Sequence, residues 1–523
     1  MTGPSPAPRP ADAERACRRA LAEQPAEPMA MQTLGLILHG RGDAHRAHRL
    51  LARSVRLAPQ VPEFHYNLAN ALKALGAADD AVRAFATALC LRPDFLQAWF
   101  NAANTLRDAG RAAPAGRAYR AAGRLAPELA MVALNHGGLC LAQEDTAGAA
   151  ALYRRAVSLQ PDYAEGWHSL GVAAERALRI GAATVAYRRA VRLRPDYADA
   201  HWNLSLVLLL AGQDREGGEE YEWRWRTPAF LFPRRRFPQP EWDGTVHPDV
   251  RLLVWGEQGV GDEVMFAGLV PDLLAAGLRC VLECDARLVP LFRRSFPGVA
   301  AVARRDPPAP ELLGPAITHH VAAGSVAQRL RAGGRPLRPR HPYLAADEVR
   351  RAELRRRYEQ AAGGRRVVGI SWRSGNARLG GVRTIPLTAW APILRTPGIL
   401  FVNLQYGDCA ADLAAARAAA GVEILHDPAV DPLRDLDGFA AQVAAMDLVV
   451  SIANTTIHTA GALGVPAWTA QPAAPDWRWG LGGEHGSWYP GVRVFRQDET
   501  GGWPPVIARI AAEIARWCRH GVR

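Results

Sequence analysis

The 523-residue sequence contains almost no lysine, no cysteine pairs of the C-x-x-C type and no long apolar run. Only Lys73 among the 63 basic residues is a lysine, and the arginines are spread along the chain, so the formal charge of +12 favours an anionic ligand without indicating nucleic-acid binding. The scattered cysteines give no zinc or redox motif. The longest nearly uncharged apolar run, around 204–211, is far shorter than the roughly 20 residues that span a bilayer, so we expect no membrane span.

The N-terminus and the overall composition place the chain among folded cytoplasmic proteins. The segment from Met1 to Ala20 alternates Pro, Ala and Arg and lacks the apolar core of a secretory signal. With 49% hydrophobic and 22% charged residues, the chain is predicted to form several domains of roughly 150 residues each.

Prolines recur at a fixed spacing from Pro25 to Pro195. An alanine column and an aromatic column run in phase with them, and Trp167, Leu170 and Gly171 form a W-x-x-L-G signature. This pattern resembles the tetratricopeptide repeat (TPR), in which small residues let two helices approach, an aromatic residue fills the gap between hairpins, and proline ends the second helix. We therefore predict an α-solenoid, a TPR superhelix over residues 1–226, with a concave face suited to a partner chain. The three columns are Pro25, Pro59, Pro93, Pro127, Pro161 and Pro195; Ala47, Ala81, Ala115, Ala149 and Ala183; and Phe85, Tyr119, Tyr153, Tyr187 and Tyr221.

A polar column, which we call the amide column, follows the prolines by eight positions and has two further members one helical turn later. A carboxamide donates and accepts, so a ladder of them can pair with the backbone of an extended peptide of any sequence. Such ladders resemble those of the protein O-GlcNAc transferases, which implies acceptor binding; the alternative is that Asn is tolerated at a half-exposed repeat position. Its members are Asn67, Asn70, Asn101, Asn104, Asn135 and Asn203, with Ser169 at the remaining position.

The C-terminal half is predicted to form two doubly wound α/β lobes. A strand at 251–255, a Gly-rich turn, a helix at 264–276 and a strand at 279–283 form the first unit, and the Gly-x-Gly of the turn lacks the full spacing of a dinucleotide site. Further strands are predicted at 366–371, 399–404, 447–451 and 465–470, and a terminal helix at 506–517 is expected to fold back across the sheets. The predicted boundaries are a linker at 227–248, a first Rossmann-like lobe at 249–345 and a second at 346–523.

Polar residues follow three successive strands of the second lobe, and in a parallel sheet they converge on one edge. Together with Arg383 and the N–H groups at a helix start, they would form a cradle for a diphosphate. Its negative charge would be balanced by arginine and the helix dipole, so we predict neither a metal nor a cofactor. The strand-end residues are Arg373, Ser374, Gln405, Asn454, Thr455 and Thr456.

The order of these segments is similar to that of GT-B glycosyltransferases, in particular bacterial proteins that join TPRs to a heptosyltransferase-like domain. The matching pieces are Gly261-Asp262, Arg373-Ser374-Gly375, Arg383 and the segment 454–464. The resemblance implies a nucleotide-sugar donor, with Asp262 as the base and Arg383 at the position of a phosphate-binding lysine. Ala453 stands where the family has Asp, so the resemblance does not identify heptose as the sugar.

Several candidate site residues have alternative roles. Glu257 and Glu263 are the other candidate bases, and Asp262 also suits a helix cap. His458 either donates to a phosphate or packs inside its helix, and His319 and His320 are weaker candidates for the cleft. The aromatic side chains that could stack on a base, or instead fill a gap beneath the linker, are Trp477, Trp479 and Trp488.

These observations predict a metal-independent, inverting glycosyltransferase that moves a sugar to a Ser or Thr hydroxyl of a protein held by the repeats. Some relatives of this architecture modify flagellins, so the resemblance implies flagellin as one acceptor to consider. The rival hypotheses are a non-catalytic scaffold that keeps only the fold, and a transferase that acts on a lipid-linked or polysaccharide acceptor.

Overall fold

The structure is a computed structural model that describes residues 10–335, 337, 341–375, 380–498 and 501–520. The chain forms two compact units that divide in the sequence between Tyr197 and Ala198. Among the described residues, none of the helices combines the length and apolar character needed to cross a bilayer.

The first unit is a helical-repeat solenoid of the TPR kind, in which consecutive helices pack as pairs from α2 with α3 to α10 with α11. Its helices are α1 (Pro10–Glu23), α2 (Pro28–Gly40), α3 (Ala44–Leu57), α4 (Pro62–Ala74), α5 (Ala78–Leu91), α6 (Leu96–Asp108), α7 (Ala112–Leu125), α8 (Ala130–Ala142), α9 (Thr146–Leu159), α10 (Ala164–Arg176) and α11 (Ile180–Leu193).

The proline column sets the end of each pair. Helices α3, α5, α7, α9 and α11 all stop two positions before a proline, and the intervening residue takes ψ between 69° and 94°. Proline has no N–H to donate, and its ring pushes the preceding residue out of the helical conformation, so the helix cannot continue.

Small residues set how closely the paired helices approach. A Cβ on Gly171 would lie 2.5 Å from the Tyr187 ring, and one on Gly137 would lie 2.6 Å from the Tyr153 ring. Glycine therefore lets the aromatic ring rest against the backbone of the neighbouring helix. The alanine column is fully buried throughout: Ala47, Ala81, Ala115, Ala149 and Ala183.

The second unit begins with helices that the sequence analysis grouped with the repeats. These are α12 (Ala198–Leu210) and α13 (Asp214–Tyr221), followed by a 3₁₀ turn at Glu222–Arg226. Arg224 explains why they group with the α/β region. Its side chain is fully buried and forms two hydrogen bonds with Glu257, at 2.9 and 2.8 Å, and one with Ser325 at 2.8 Å.

The segment predicted as a linker, 227–248, lies against the first lobe. Its Trp242 is buried and donates its backbone N–H to the carbonyl of His320 at 2.8 Å, while Arg235 pairs with the buried carboxylate of Glu283. The segment therefore extends the core of the lobe.

The first sheet contains β1 (Arg251–Trp255), β2 (Arg279–Cys284), β3 (Ala300–Ala303) and β4 (His319–Ala322). Within the described residues its strands are parallel and lie in the order β3-β2-β1-β4. Its helices are α14 (Val260–Ala267), α15 (Val270–Ala275), α16 (Val289–Ser295) and α17 (Val326–Ala332).

The second sheet contains β5 (Arg366–Ser371), β6 (Ile399–Asn403), β7 (Leu448–Ile452), β8 (Ala467–Gln471) and β9 (Val492–Arg496). Its strands are also parallel, in the order β6-β5-β7-β8-β9, which is a doubly wound arrangement. Its helices are α18 (Glu348–Ala362), α19 (Gly380–Arg383), α20 (Ala391–Leu394), α21 (Ala410–Ala420), α22 (Leu436–Ala444), α23 (Thr455–Leu463) and α24 (Pro504–His520).

The structure differs from the sequence predictions in several elements. The helix predicted at 264–276 is two helices, because Pro271 at the start of α15 cannot continue α14. Strands β3, β4 and β9 were not predicted; β3 and β4 have only four residues each, and β4 lies inside a Pro- and Arg-rich interval. Helix α24 packs through Ile507, Ile510 and Ile514 into the core of the second sheet rather than across both sheets.

Candidate functional site

The strand order reverses once in each sheet, between β1 and β4 and between β5 and β7. Open parallel sheets bind ligands at the carboxyl ends of the strands beside such a reversal. Helix α14 follows β1 and α23 follows β7, so each helix begins at the reversal of its own sheet. The candidate residues lie around these two helix starts.

The starts of α14 and α23 are in direct contact. A Cβ on Gly261 would lie 3.2 Å from Cδ2 of His458 and 3.4 Å from Oγ1 of Thr455. Further along the helices, Phe266 and Ile457 belong to one continuous apolar core. Glycine at 261 thus allows the two lobes to approach closely here.

Asp262 makes the helix cap that the sequence offered as an alternative to a catalytic role. Its Oδ2 accepts the backbone N–H of Gly259 at 3.0 Å at the start of α14, and its Oδ1 accepts a hydrogen bond from Arg478. The carboxylate therefore joins a helix of the first lobe to a loop of the second.

Asp262 is one end of an alternating series of ionic side chains, Asp262–Arg478–Asp476–Arg383, which we call the charge row. Arg478 Nη1 donates to Asp476 Oδ1 at 2.6 Å, and Arg383 Nη2 donates to Asp476 Oδ2 at 3.0 Å. The four side chains are between 11% and 22% exposed. Charge pairing in such a dry environment is strong.

The pKa values in the charge row follow from this pairing. Burial alone would raise the pKa of Asp476, but Arg478 and Arg383 outweigh it and lower that pKa to about 2. Burial opposes the charged form of Arg478, yet Asp262 and Asp476 outweigh it and raise the Arg478 pKa. Asp476 and Arg478 therefore stay ionised across the physiological range.

The turn before α14, the helix that carries Asp262, has a strained backbone. Gln258 takes φ +65°, a left-handed conformation that costs a residue with a Cβ about 1 kcal/mol. Its side chain holds the turn from two sides, accepting from Arg478 at 3.2 Å and donating to the Tyr221 hydroxyl at 2.7 Å. Strain of this kind clusters at functional sites.

Polar side chains at the ends of β5, β6 and β7 meet in a buried network. Asn454 Nδ2 donates to Ser371 Oγ at 2.7 Å, and Ser371 Oγ donates to Gln405 Oε1 at 3.1 Å. Gln405 Oε1 also accepts the backbone N–H groups of Trp372 and Arg373. Gln405 and Asn454 thus converge as predicted, and in this network they fix the loop after β5.

The start of α23 is capped by the same network. Asn454 Oδ1 accepts the N–H groups of Thr456 at 3.1 Å and Ile457 at 3.4 Å. The predicted anion cradle includes the Thr456 N–H, which therefore already has an acceptor. Thr455 faces Gly261 across the contact between the lobes.

The side chain of Arg373 pairs with groups outside the charge row. The Arg373 guanidinium donates to Asp412 at 3.1 Å and to the carbonyl of Asp408 at 2.6 Å. The backbone N–H of Ser374 donates to Thr384 Oγ1 at 3.2 Å. Asn376, which follows them in the predicted motif, lies outside the described residues.

The two alternative bases are committed to other contacts. Glu257 is the fully buried partner of Arg224. Glu263 is also buried; it accepts the N–H of Asp285 at 2.7 Å and lies 2.6 Å from Arg304. Burial raises the pKa of Glu263 to about 7, in spite of Arg304.

His458 is buried beside the site, with Nδ1 3.1 Å from the Tyr489 hydroxyl. Burial lowers its pKa to about 4, so the ring is neutral at pH 7. His320 packs against Phe237, and His319 lies at the amino end of β4, the opposite end from the site.

The tryptophans fill space between the lobes. Trp479 is buried against His458, with ring centroids 5.6 Å apart, and Trp488 lies 6.0 Å from Phe266. Trp477 packs against Trp488 and lies under the Arg478 guanidinium. This arrangement fits the packing alternative for these rings.

In the first unit the amides of the amide column are half-buried and bridge neighbouring hairpins. Asn67 Nδ2 donates to Gln32 at 3.0 Å, and Asn101 Nδ2 donates to both Tyr66 and Asn70 at 3.0 Å. These contacts stabilise the stack of hairpins. The remaining members are Asn104, which accepts from Tyr119 at 2.6 Å; Asn135, which accepts from Arg107 at 3.0 Å; and Asn203, which lies on α12 in the second unit.

Sequence reasoning missed Arg478, Asp476 and Gln258. The signal was available, because 472–479 is the loop at the carboxyl end of β8, where open parallel sheets place ligand residues. Trp477 and Trp479 flank Arg478 and indicated stacking on a base instead, so Arg478 and the neighbouring Asp476 were not predicted.

Two surface hollows of about 570 and 380 Å³ are present elsewhere in the second unit. The larger is lined by residues 212–216 and Glu219, the smaller by 243–246 with Ala332, Gly333 and Arg335. No predicted donor residue lines either hollow. Among the described residues, no group of three His, Cys, Asp or Glu side chains could hold a metal ion.

No protein-family model matches the chain. A protein named FlbA from Caulobacter vibrioides is 36% identical over 324 residues, which cover 59% of this chain and 54% of that protein. The chain therefore spans about half the length of this relative.

Solved structures of helical-repeat proteins resemble part of the chain. YrrB, described as a TPR protein with an unusual peptide-binding site, is 15% identical, with a TM-score of 0.32 over 36% of this chain and 96% of its own. A TPR protein of Cytophaga hutchinsonii is 12% identical, with a TM-score of 0.37 over 41% and 88%. PilF of Pseudomonas aeruginosa is 17% identical, with a TM-score of 0.35 over 39% and 91%. The repeat fold is therefore assigned from the helix bounds and packing described above rather than from these likenesses.

Proposed function

We propose that this chain is a GT-B glycosyltransferase that moves a sugar from a nucleotide-sugar donor to a hydroxyl group of a protein. The observation that carries the proposal is the charge row, which lies where the strand ends of two parallel sheets meet. It sets a carboxylate, Asp262, opposite the guanidinium groups of Arg478 and Arg383. A carboxylate beside two guanidinium groups at the carboxyl ends of parallel strands suits transfer from a diphosphate leaving group.

In the proposed reaction the acceptor oxygen bonds to the anomeric carbon while the bond from that carbon to the donor phosphate oxygen breaks. The hydroxyl proton passes to Asp262, and the nucleoside diphosphate leaves with the electron pair. We assign Arg383 and the N-terminal dipole of α23 to stabilising the departing negative charge. Attack and departure on opposite faces invert the sugar.

The proposed acceptor is an extended protein segment held by the repeats. The amide column supports this assignment, since each half-buried carboxamide carries both donors and an acceptor on one repeating position. The family resemblance makes flagellin the first acceptor to test.

A thermal-shift screen of the whole chain with UDP-, GDP-, ADP- and CMP-linked sugars identifies the donor, because a ligand that binds only the folded state raises Tm. Turnover of that donor should fall by about 100-fold or more in Asp262→Asn and in Arg383→Ala. Arg355→Gln is a matched control, because it breaks a half-buried pair with Asp447 (2.8 Å) at the amino end of the same sheet and should keep the turnover. A chain that binds no donor, or that works equally well without Asp262, contradicts the proposal.

The acceptor class has its own test. In the double variant Asn67→Ala, Asn101→Ala, transfer to a protein acceptor should fall while donor hydrolysis persists. If transfer to a lipid-linked or polysaccharide acceptor occurs and is equal in both proteins, the repeats do not deliver the substrate.

A non-catalytic scaffold is the second candidate. It is favoured by the ion pairs that already engage Asp262 and Arg383, and by Ala453 at the position where the resembling family has Asp. A scaffold would bind its protein partner through the repeats and show no turnover of any nucleotide sugar. Measured turnover excludes it.

A further inference from the structure

We infer that Arg478 is a positioning residue shared between Asp262 and the donor, so that a diphosphate bound by Arg478 and Arg383 frees the Asp262 carboxylate. The inference rests on the proposed function and adds an order to it. The base is held by an ion pair until the donor arrives, and only then accepts a proton from the second substrate.

The geometry of the charge row supports competition for one guanidinium. Arg478 donates through Nη2 to Asp262 and through Nη1 to Asp476, which also pairs with Arg383. The row therefore balances two positive charges with two carboxylates. A diphosphate carries enough negative charge and enough acceptor oxygens to replace either carboxylate. Both Nη atoms of Arg478 already donate to carboxylates, and Arg478, Asp476 and Arg383 are only 11–15% exposed, so a diphosphate at this guanidinium would compete with Asp262.

Arg478 also has an unused donor. Its Nε–H is buried and has no hydrogen-bond partner among the described residues. An unpaired buried N–H is unfavourable, and an anion that reached the guanidinium edge would satisfy it. The nearest carboxylates, on Asp262 and Asp476, use the Nη atoms instead.

The same guanidinium also supports the turn before α14. It lies 4.6 Å from the Trp477 ring centroid, which limits its motion, and it donates to Gln258, the residue with φ +65°. Gln258 in turn contacts Tyr221, the last residue of α13. When a diphosphate binds Arg478, the Asp262 carboxylate and Gln258 both lose a hydrogen-bond donor. Donor binding thereby changes the contacts of Asp262 directly.

Calorimetry with inorganic pyrophosphate on the whole chain tests the inference. Arg478→Gln should weaken binding about tenfold or more, which is the usual effect of losing one charge-assisted contact. Asp262→Asn should tighten binding severalfold, because it removes the competing carboxylate. Arg355→Gln should bind as wild type. Arg478→Lys, whose ammonium cannot bridge two acceptors in one plane, should fall between wild type and Arg478→Gln.

Three results would overturn the inference. One is equal pyrophosphate affinity in wild type and in Arg478→Gln, with thermal melts showing that the variant is folded. Another is an Asp262→Asn variant that loses turnover while its pyrophosphate affinity stays unchanged, since Asp262 would then be a base that does not compete for Arg478. Loss of affinity in Arg373→Gln instead of Arg478→Gln would likewise overturn it.

The outcome for the proposed function is read separately. If the variants differ in pyrophosphate affinity as expected but the wild-type chain turns over no nucleotide sugar, the proposed function is wrong and the inference about Arg478 still holds. A chain that transfers sugar without these differences contradicts only the inference.

Discussion

The two units use polar side chains in opposite ways. In the first unit they bridge adjacent repeats at a recurring sequence separation, 35 residues from Asn67 to Gln32 and 31 from Asn101 to Asn70, and the asparagine side chains are half-buried. In the second unit Arg224 makes a contact that does not recur: it joins Glu257 and Ser325, 33 and 101 residues further along the chain, and both side chains of its pair with Glu257 are fully buried. In an array the stability is distributed over many equivalent contacts, so the loss of one contact removes a small part of it. A contact that occurs once has no equivalent, so its loss affects the whole element that it holds in place. The same substitution should therefore cost far more in the second unit.

The largest difference should come from ion pairs. Glu257→Gln removes the fully buried carboxylate that accepts two hydrogen bonds from Arg224 and leaves the longer contact with Glu222 at 3.2 Å, so we expect a loss of about 3 kcal/mol in the free energy of unfolding. Denaturant unfolding measures the loss, and hydrogen exchange of peptides from 198–523 localises it.

The matched control is the pair between Glu165 and Arg194 in the first unit, in which both side chains are 40% exposed. Glu165→Gln should cost less than about 1 kcal/mol, because water already screens this pair. Equal costs at the two sites would break the contrast between the units.

Acid–base behaviour should also separate the units. Glu263 has a pKa near 7 in the folded chain against 4.5 when solvated. Between these values the folded state keeps a proton that the unfolded state has lost, so the contribution of Glu263 to stability is fully present below pH 4.5 and is lost as pH rises to 7, by up to about 3 kcal/mol. Glu263→Gln should remove this decline, which unfolding curves at pH 4.5 and 7.5 would detect. An unchanged pH dependence in the variant would assign the decline to other groups.

Packing in the first unit gives an intermediate effect. Gly171→Ala would drive a methyl group into the Tyr187 ring and should destabilise the array by about 1–3 kcal/mol. Gly181→Ala is the control, because nothing lies within 4 Å of its added Cβ and alanine favours the helix by a few tenths of a kcal/mol. Thermal melts of both variants should shift in opposite directions, and a parallel shift would contradict the packing argument.

The smallest effect concerns the amide column. Asn101→Ala removes the bridge to Tyr66 and Asn70 and should cost about 1 kcal/mol. If stability is unchanged while acceptor binding is lost, this amide serves the ligand and not the stack.

The sequence was most informative where its pattern was periodic or continuous. The proline and alanine columns predicted the helix pairs, since one fixed period constrains every module at once. Continuous apolar runs predicted β1 and β5 to the residue. Strand β4 was not predicted because its four residues include His319 and His320, so they do not form an apolar run. Its burial comes only from its place beside β1.

The site was harder to predict because it depends on pairing across the chain. Asp262 and Arg383 could be selected from local motifs, but their shared neighbours Arg478 and Asp476 lie far away in sequence and have no spacing signal. Arg373 shows the reverse case, because its local motif predicted a place in the site but its guanidinium pairs elsewhere. It follows a strand end as expected, yet Asp412 on α21 competes successfully for its guanidinium.

The fixed end of every helix pair has an evolutionary consequence. Because α5, α7 and α9 all stop two positions before a proline, cutting out or duplicating the segment between Pro93 and Pro127 would join equivalent junctions. The array can thus lengthen or shorten by whole modules through gene duplication, and the span of partner chain it covers can change while the second unit keeps its own sequence.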